Sequence, residues 1–247
     1  MLSKNLESAN LYIGKNAGKQ ILQSINVAKS SIKIISPYIS DSYIDLLIQK
    51  HSIGVDVSLI TSTDIVKANS QNKVYKKIIM QTRHTNEAAK TKRDNGLKYT
   101  LLAGLISIVA AMVGSYFGQS DFLWLLALLP VLFIIFRYFN GVRIYNYTYS
   151  TLFRFQAIVS PHSQGFGAGK YLLHAKVFLI DDKEAFLGSV NFTKSAFRFN
   201  YETCIKLTGS QDIKALSTEY EYLNENDKTM YLNIGLMGSS IYSEPKN

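Results

Sequence analysis

Apolar positions follow two periods along this chain. From Asn16 to Ser30 they fall at helical spacing, with Ile21, Leu22, Ile25 and Ala28 on one side, which predicts an amphipathic helix. Ser31–Ile39, SIKIISPYI, reads as a strand closed by Pro37. Asp41–Lys50 predicts a second amphipathic helix with Asp41 as its N-cap. Gly54–Ser62, GVDVSLITS, alternates and predicts a second strand. Val66–Lys92 reads as a basic helical region. Further on, FRFQAIVS, HAKVFLID, EAFLGSV and YETCIKLT predict four strands, and Asp212–Asn224 a closing helix. Helices and strands in this order predict an α/β fold built on one sheet.

The pattern changes between these halves. Tyr99–Phe136 carries a single formal charge, Asp121. Its first half, YTLLAGLISIVAAMVGSYF, has 19 residues. At about 1.5 Å per residue that nearly matches a hydrocarbon core of roughly 30 Å. Gly104, Ser107, Gly114 and Ser115 are the small residues that helix contacts in lipid favour. GQSD is a polar turn, and the second half, FLWLLALLPVLFIIF, has 15 residues before Arg137. That half spans a bilayer only if Tyr138 and Phe139 sit in the interface and Arg137 snorkels. Pro130 predicts a kink. Two other readings are a buried helical hairpin in a soluble core and a re-entrant second segment. Strands on both sides imply an insertion in one α/β domain, with segments 1–95, 96–139 and 140–247.

Charge adds direction. The chain has 247 residues, 47% hydrophobic and 18% charged, with a formal net charge of +9. Such a balance favours an anionic partner: nucleic acid, an anionic membrane surface, or both. Nine Lys or Arg lie between Lys67 and Lys98 against Glu87 and Asp94, Arg137, Arg143 and Arg154 follow the apolar block, and its turn has neither Lys nor Arg. The positive-inside rule therefore expects both ends, and with them the α/β parts of the chain, in the cytoplasm. The same cations serve equally as topology determinants and headgroup contacts. Cys204 is the one cysteine, which excludes an internal disulfide framework and a Cys-rich zinc site. Met1–Lys15 is polar, so no secretory leader is expected there.

The candidate chemistry lies in the HAKVFLIDDKEAFLGSVNFT segment. Residues two apart on a strand share a face, so His174 and Lys176 point the same way, with Leu173, Val177 and Leu179 serving the other. A neutral imidazole can attack phosphorus while an ammonium holds a non-bridging oxygen. Gly188 and Ser189 turn the chain back, and Asn191 can donate an amide N–H to the same oxygens. The set lacks a carboxylate cluster suited to Mg²⁺ and a Zn²⁺ ligand set, so no metal or cofactor is expected and hydrolysis should persist in chelator. GFGAGK, Gly165–Lys170, has three residues where a Walker A loop needs four, and Tyr171 follows. It reads as a flexible loop bordering the site.

The spacing His174-x-Lys176-x4-Asp181-x6-Gly188-Ser189-x-Asn191 resembles the HKD signature of the phospholipase D superfamily. Glu202, in NYE, stands where that family places a carboxylate that orients the histidine. AKSSIKIISPYISD followed by GVDVSLIT is similar to the first strands of the same fold. The resemblance implies a mixed β-sheet flanked by helices, here with an inserted transmembrane hairpin. It implies that His174 is a nucleophile forming a phosphohistidine. Lys176 and Asn191 would bind phosphoryl oxygens with Ser189 nearby. Asp181 would be structural, and Glu202 would fix the His174 tautomer.

The chain has one such motif, whereas the reaction uses two histidines. Single-motif members pair across a two-fold axis, so a homodimer with a composite site is expected; failing that, His162 or Glu202 would have to donate the second proton. The resemblance, with the +9 balance, favours a metal-independent endonuclease, which the apolar block would anchor in a lipid bilayer. A phospholipase, cardiolipin hydrolase or phosphatidyltransferase acting on membrane phospholipid is the alternative. A non-catalytic membrane scaffold would be marked by loss of His174, Lys176 or Asn191, and all three are present.

Overall fold

A computed structural model of the chain describes residues 9–63, 68–162, 169–225 and 230–247. Its elements are β1 (Ala9–Lys15), α1 (Lys19–Val27), β2 (Ser31–Ile35), α2 (Asp41–Ser52), β3 (Asp56–Ser62), α3 (Ala68–Ile78), β4 (Ile79–Thr85) and α4 (Glu87–Tyr116). A 3₁₀ segment (Ser120–Leu128) leads into α5 (Leu129–Asn140), followed by β5 (Tyr145–Thr151), β6 (Arg154–Ile158), β7 (Val177–Ile180) and β8 (Glu184–Gly188). The chain closes with α6 (Lys194–Arg198), β9 (Tyr201–Leu207), α7 (Ser210–Glu225) and α8 (Ile234–Ile241). It divides into two compact units, Met1–Met80 with Tyr149–Ile241, and Gln81–Thr148 with Tyr242–Asn247.

The first unit holds a seven-stranded sheet in the order β1-β9-β8-β7-β2-β3-β6. β2, β3 and β6 are parallel, and β7, β8, β9 and β1 pair antiparallel in turn. This is a mixed α/β sheet, drawing strands from both sides of the apolar block. Alternation splits β7 between two layers. Leu179, with the flanking Leu173 and the partly buried Val177, joins Ile35, Ile60 and Leu207 beneath Ile213 and Tyr220 of α7. Phe178 faces the other way, with its ring 5.8 Å from that of Phe192. Tyr43 of α2 stacks on Phe192 at 4.9 Å and meets Phe197 edge-on at 5.1 Å. Burying rings of this size stabilises the layer by about 2 kcal/mol each.

Three local expectations are corrected. Ser40, not Asp41, is the N-cap of α2, and Asp41 occupies the first helical position, where an acid complements the helix dipole. The helix expected over Val66–Lys92 ends at Ile78, because Ile79–Thr85 becomes β4 and pairs with β5 in a separate two-stranded ribbon; Val66 and Lys67 lie outside the described residues. Pro130 does not kink a continuous helix. It sits in the first turn of α5, where its missing N–H leaves no intrahelical bond unmade.

The second unit is an antiparallel hairpin of α4 against the 3₁₀ segment and α5. Gly96 lies against the ring of Phe139 and Gly114 against that of Phe122, so two glycines let the arms approach. Gly104 has no such neighbour. Both arms are apolar and long enough to cross a membrane, and none of the Asp121–Asn140 window is buried. The hairpin is therefore not a buried core element. The 3₁₀ segment also lengthens the short arm. Seven residues at about 2.0 Å and eight at about 1.5 Å carry Phe122–Phe136 through about 26 Å, against about 22 Å for an α-helix.

Candidate active site

The register places the motif on one edge of the sheet. Ile35, the last residue of β2, pairs with Val177, the first of β7, and Gly188, the last of β8, pairs with Cys204 of β9. The ends of β2, β3, β6 and β8 therefore meet the starts of β7 and β9 there. Carboxyl ends of sheet strands are where open α/β folds form ligand crevices.

His174 and Lys176 lie in the extended segment just before β7 rather than within it. His174 is exposed, while Lys176 is only 7% exposed. The Lys176 Nζ donates to the His174 carbonyl at 2.7 Å, tying the two together. Burial pushes the Lys176 ammonium below the ordinary lysine value, and the Glu202 carboxylate opposes that shift. A buried cation beside an exposed imidazole is suited to an anionic oxygen.

The return segment is pinned by backbone contacts. A Cβ at Gly188, whose φ is +157°, would strike the Thr203 carbonyl of β9, so only glycine lets the strands close here. The Ser189 N–H then donates to the Thr203 carbonyl at 2.9 Å. Three residues on, Phe192 N–H donates to the buried Ser36 hydroxyl at 3.0 Å, and Ser40 N–H donates to the Phe192 carbonyl at 3.0 Å. The loop after β2 thus holds Asn191 in place. The Asn191 Oδ1 is buried and has no hydrogen-bond partner. An unpaired buried polar atom costs on the order of 1–3 kcal/mol, so this side chain is set out for something other than packing.

Glu202 differs from expectation. Among the described residues no hydrogen bond joins it to the His174 ring. Its carboxylate accepts instead from the Ser189 hydroxyl and from Asn200 Nδ2, the latter at 3.0 Å. Ser189 Oγ in turn accepts from Thr203 N–H at 3.0 Å. The Ser189 proton is therefore directed at Glu202 and away from any phosphoryl oxygen. Sequence reasoning missed Asn200, Ser36 and Ser40; their roles arise from chain segments far apart in sequence. His162 follows β6 on the same edge, its N–H bonded to Ser160 Oγ at 3.1 Å. Of the GFGAGK loop, only Gly169 and Lys170 are among the described residues. Among those residues no group of three His, Cys, Asp or Glu side chains is placed to hold a metal ion.

Asp181 is not part of this cluster. It follows β7 at the end opposite Lys176, about 16 Å away at roughly 3.3 Å per residue. Its carboxylate accepts from the N–H groups of Lys29, Ser30 and Ser31 at 2.7–3.1 Å, anchoring the start of β2. Asp181 and Asp182 have φ of 54° and 50°, as primed hairpin turns require. Burial pushes the Asp181 carboxyl up, but the three N–H donors outweigh it and hold it below the usual carboxylate range. Its stabilising contribution is complete above the unfolded value of about 3.9 and is lost as pH falls through the lowered folded value. Asp181→Ala should cost about 2–3 kcal/mol at neutral pH and less in acid. Urea unfolding at several pH values checks this, and a strong loss of turnover in folded protein would make Asp181 more than an anchor.

Comparison with known proteins gives a match over most of the chain. The family model described as "Cardiolipin synthase, PLD-like domain" matches residues 21–116 and 140–224. No curated protein sequence matches. Among solved structures, NucT from Helicobacter pylori is similar at 15% identity and a TM-score of 0.48, covering 92% of this chain and 98% of its own. Nuc from Salmonella typhimurium, described as a phospholipase D family member, is similar at 12% identity and a TM-score of 0.47, covering 91% and 97%. Phosphatidylserine synthase from Haemophilus influenzae Rd KW20 is similar at 12% identity and a TM-score of 0.42, over 91% of this chain and 40% of the enzyme.

Proposed function

The chain belongs to the PLD-like domain family of the phospholipase D superfamily, whose members act on phosphodiester bonds, and from that premise we propose that it is a membrane-anchored, homodimeric nuclease. The observation that carries the reading is the single sheet edge that gathers exposed His174, buried Lys176 and the orphaned Asn191. In the proposed reaction a neutral His174 nitrogen attacks phosphorus, forming a P–N bond. The P–O bond to the leaving group breaks as that oxygen takes a proton from the second imidazole, supplied by the partner copy. Water then attacks the phosphohistidine, giving its proton to the same partner imidazole, and His174 is released. Lys176 and Asn191 hold the non-bridging oxygens as charge builds on them.

Nucleic acid is favoured as the substrate by the rim. Tyr38, Tyr171, Phe199 and Tyr201 are 45%, 50%, 65% and 76% exposed. Lys170, Lys194 and Arg198 are exposed among them. Rings interleaved with cations suit a flexible polyanion whose bases can stack. The test incubates purified protein in chelator with single-stranded DNA, duplex DNA, RNA and cardiolipin vesicles, alongside His174→Ala. Cleavage of nucleic acid alone supports the reading. Hydrolysis confined to the vesicles replaces it with a phospholipase, and activity that requires a divalent ion overturns the mechanism.

Glu202 makes a pH prediction. Lys176 must stay charged to hold an oxyanion, and the Glu202 charge supports its protonated form. Glu202→Gln should therefore lower the pH at which the Lys176 ammonium titrates, followed through the lysine side-chain resonances of isotope-labelled protein. A titration that stays in place would sever Glu202 from Lys176.

The hairpin carries the anchoring. Tyr99 and Tyr138 are exposed at its base, and Tyr116, Phe117 and Trp124 toward its turn, matching two interfacial aromatic belts. The basic flanks predict a cytoplasmic catalytic unit with the turn outside. Cys204 is a silent background for labelling, since burial pushes its thiol up to about 11. Gln119→Cys should react with an impermeant maleimide in intact cells. Reaction only after permeabilisation would reverse the orientation.

A further inference from the structure

We infer that the exposed cations at the base of the hairpin form a binding collar for anionic phospholipid headgroups, built from the second unit alone. This rests on the membrane-anchored reading above and treats the lipid as a bound partner, not as a substrate.

Geometry sets the level of the collar. Gly96 of α4 lies against Phe139 of α5, so the two arms are in register there. Two residues inward from that contact, Lys98 and Arg137 flank the first apolar residues of each arm, and both are exposed. A headgroup layer is about 5–8 Å thick on each side of the hydrocarbon. Lys98 and Arg137 therefore fall at its inner boundary, and Lys92, six residues lower on α4, about 9 Å further out. The β4–β5 ribbon adds Arg83, whose guanidinium lies 4.5 Å from the centre of the Tyr145 ring. The C-terminal segment runs beside it, with the Ile144 N–H donating to the Lys246 carbonyl at 2.7 Å and Tyr147 OH to the Pro245 carbonyl at 2.9 Å.

Charge pairing shows which cations are available. Glu87 pairs with Lys90, Asp94 with Arg93 and Glu244 with Arg143. Arg83, Lys92, Lys98, Arg137 and Lys246 have no carboxylate within ion-pair distance among the described residues. Cations gathered at the ends of two apolar helices face phosphate groups in the adjoining leaflet, where the attraction is strongest within a Debye length. Nucleic acid could neutralise the same charges, but it would have to enter the headgroup plane to reach Lys98 and Arg137.

The test reconstitutes the full chain in phosphatidylcholine bilayers and compares spin-labelled phosphatidic acid with spin-labelled phosphatidylcholine. Phosphatidic acid is a monoester, so it offers the cleavage site no diester. At low salt the motionally restricted fraction should favour phosphatidic acid about three- to fivefold. The preference should persist in His174→Ala, shrink with added salt, and fall toward parity in Lys92→Gln/Lys98→Gln/Arg137→Gln. Equal restriction of the two probes, or a preference indifferent to both salt and the triple substitution, overturns the collar. Where the triple variant does not insert, the salt dependence of the unaltered chain decides alone. Release of the unaltered chain by alkaline carbonate would instead remove the anchored reading and the collar with it, while leaving the phosphodiesterase assay untouched.

Discussion

His174→Ala is expected to lower phosphodiester hydrolysis by about 10⁴-fold or more while leaving the thermal unfolding transition in place. A nucleophile lost from a covalent mechanism removes the reaction path rather than weakening one contact. The fold should tolerate the change because the side chain is exposed and its ring takes part in no hydrogen bond among the described residues. What secures the segment is the His174 backbone carbonyl, which alanine keeps. Mixing sharpens the result. Random co-assembly of equal amounts of unaltered and His174→Ala chains leaves about a quarter of dimers with two histidines. Activity near a quarter of the unmixed value supports a composite site. Activity near half means that each chain works alone, and a donor such as His162 would then be sought within it.

Lys176→Met should separate function from stability. In the proposed mechanism Lys176 holds the developing oxyanion, and its loss is expected to cost about 10²–10³ in kcat. Stability should change by no more than about 1 kcal/mol. The bond to the His174 carbonyl is lost, which costs about 1 kcal/mol, but a buried charge is removed at the same time. Methionine keeps the volume of the lysine stem, so the change opens little cavity. Glu202 retains Ser189 and Asn200 as partners and is not left bare. Paired kcat measurements and urea unfolding check both halves. Full activity would remove Lys176 from oxyanion binding, and a loss of several kcal/mol would make it a structural residue.

α1, α2 and α7 were legible because helical periodicity is a local property. So were β2, β3 and β6 to β9, whose apolar runs are bounded by turn residues. The apolar hairpin was legible for the same reason, since length and composition suffice to mark it. The spacing from His174 to Asn191 was legible because its parts lie on, or just outside, two strands joined by a short turn. What the sequence did not carry was pairing. β1 alternates weakly and is exposed along most of its length; only its ladder with β9 makes it a strand. β4 and β5 are likewise strands because they meet each other across the whole hairpin. The same nonlocality decided the site. Lys176 is buried while His174, two residues away, is exposed, and the Lys176 ammonium turns back onto the His174 carbonyl. Glu202 serves Ser189 and Asn200 rather than the histidine because β9 sets its carboxylate beside the end of β8. Local spacing names the groups that can react; hydrogen bonds between distant segments decide which of them face the substrate and which hold the frame.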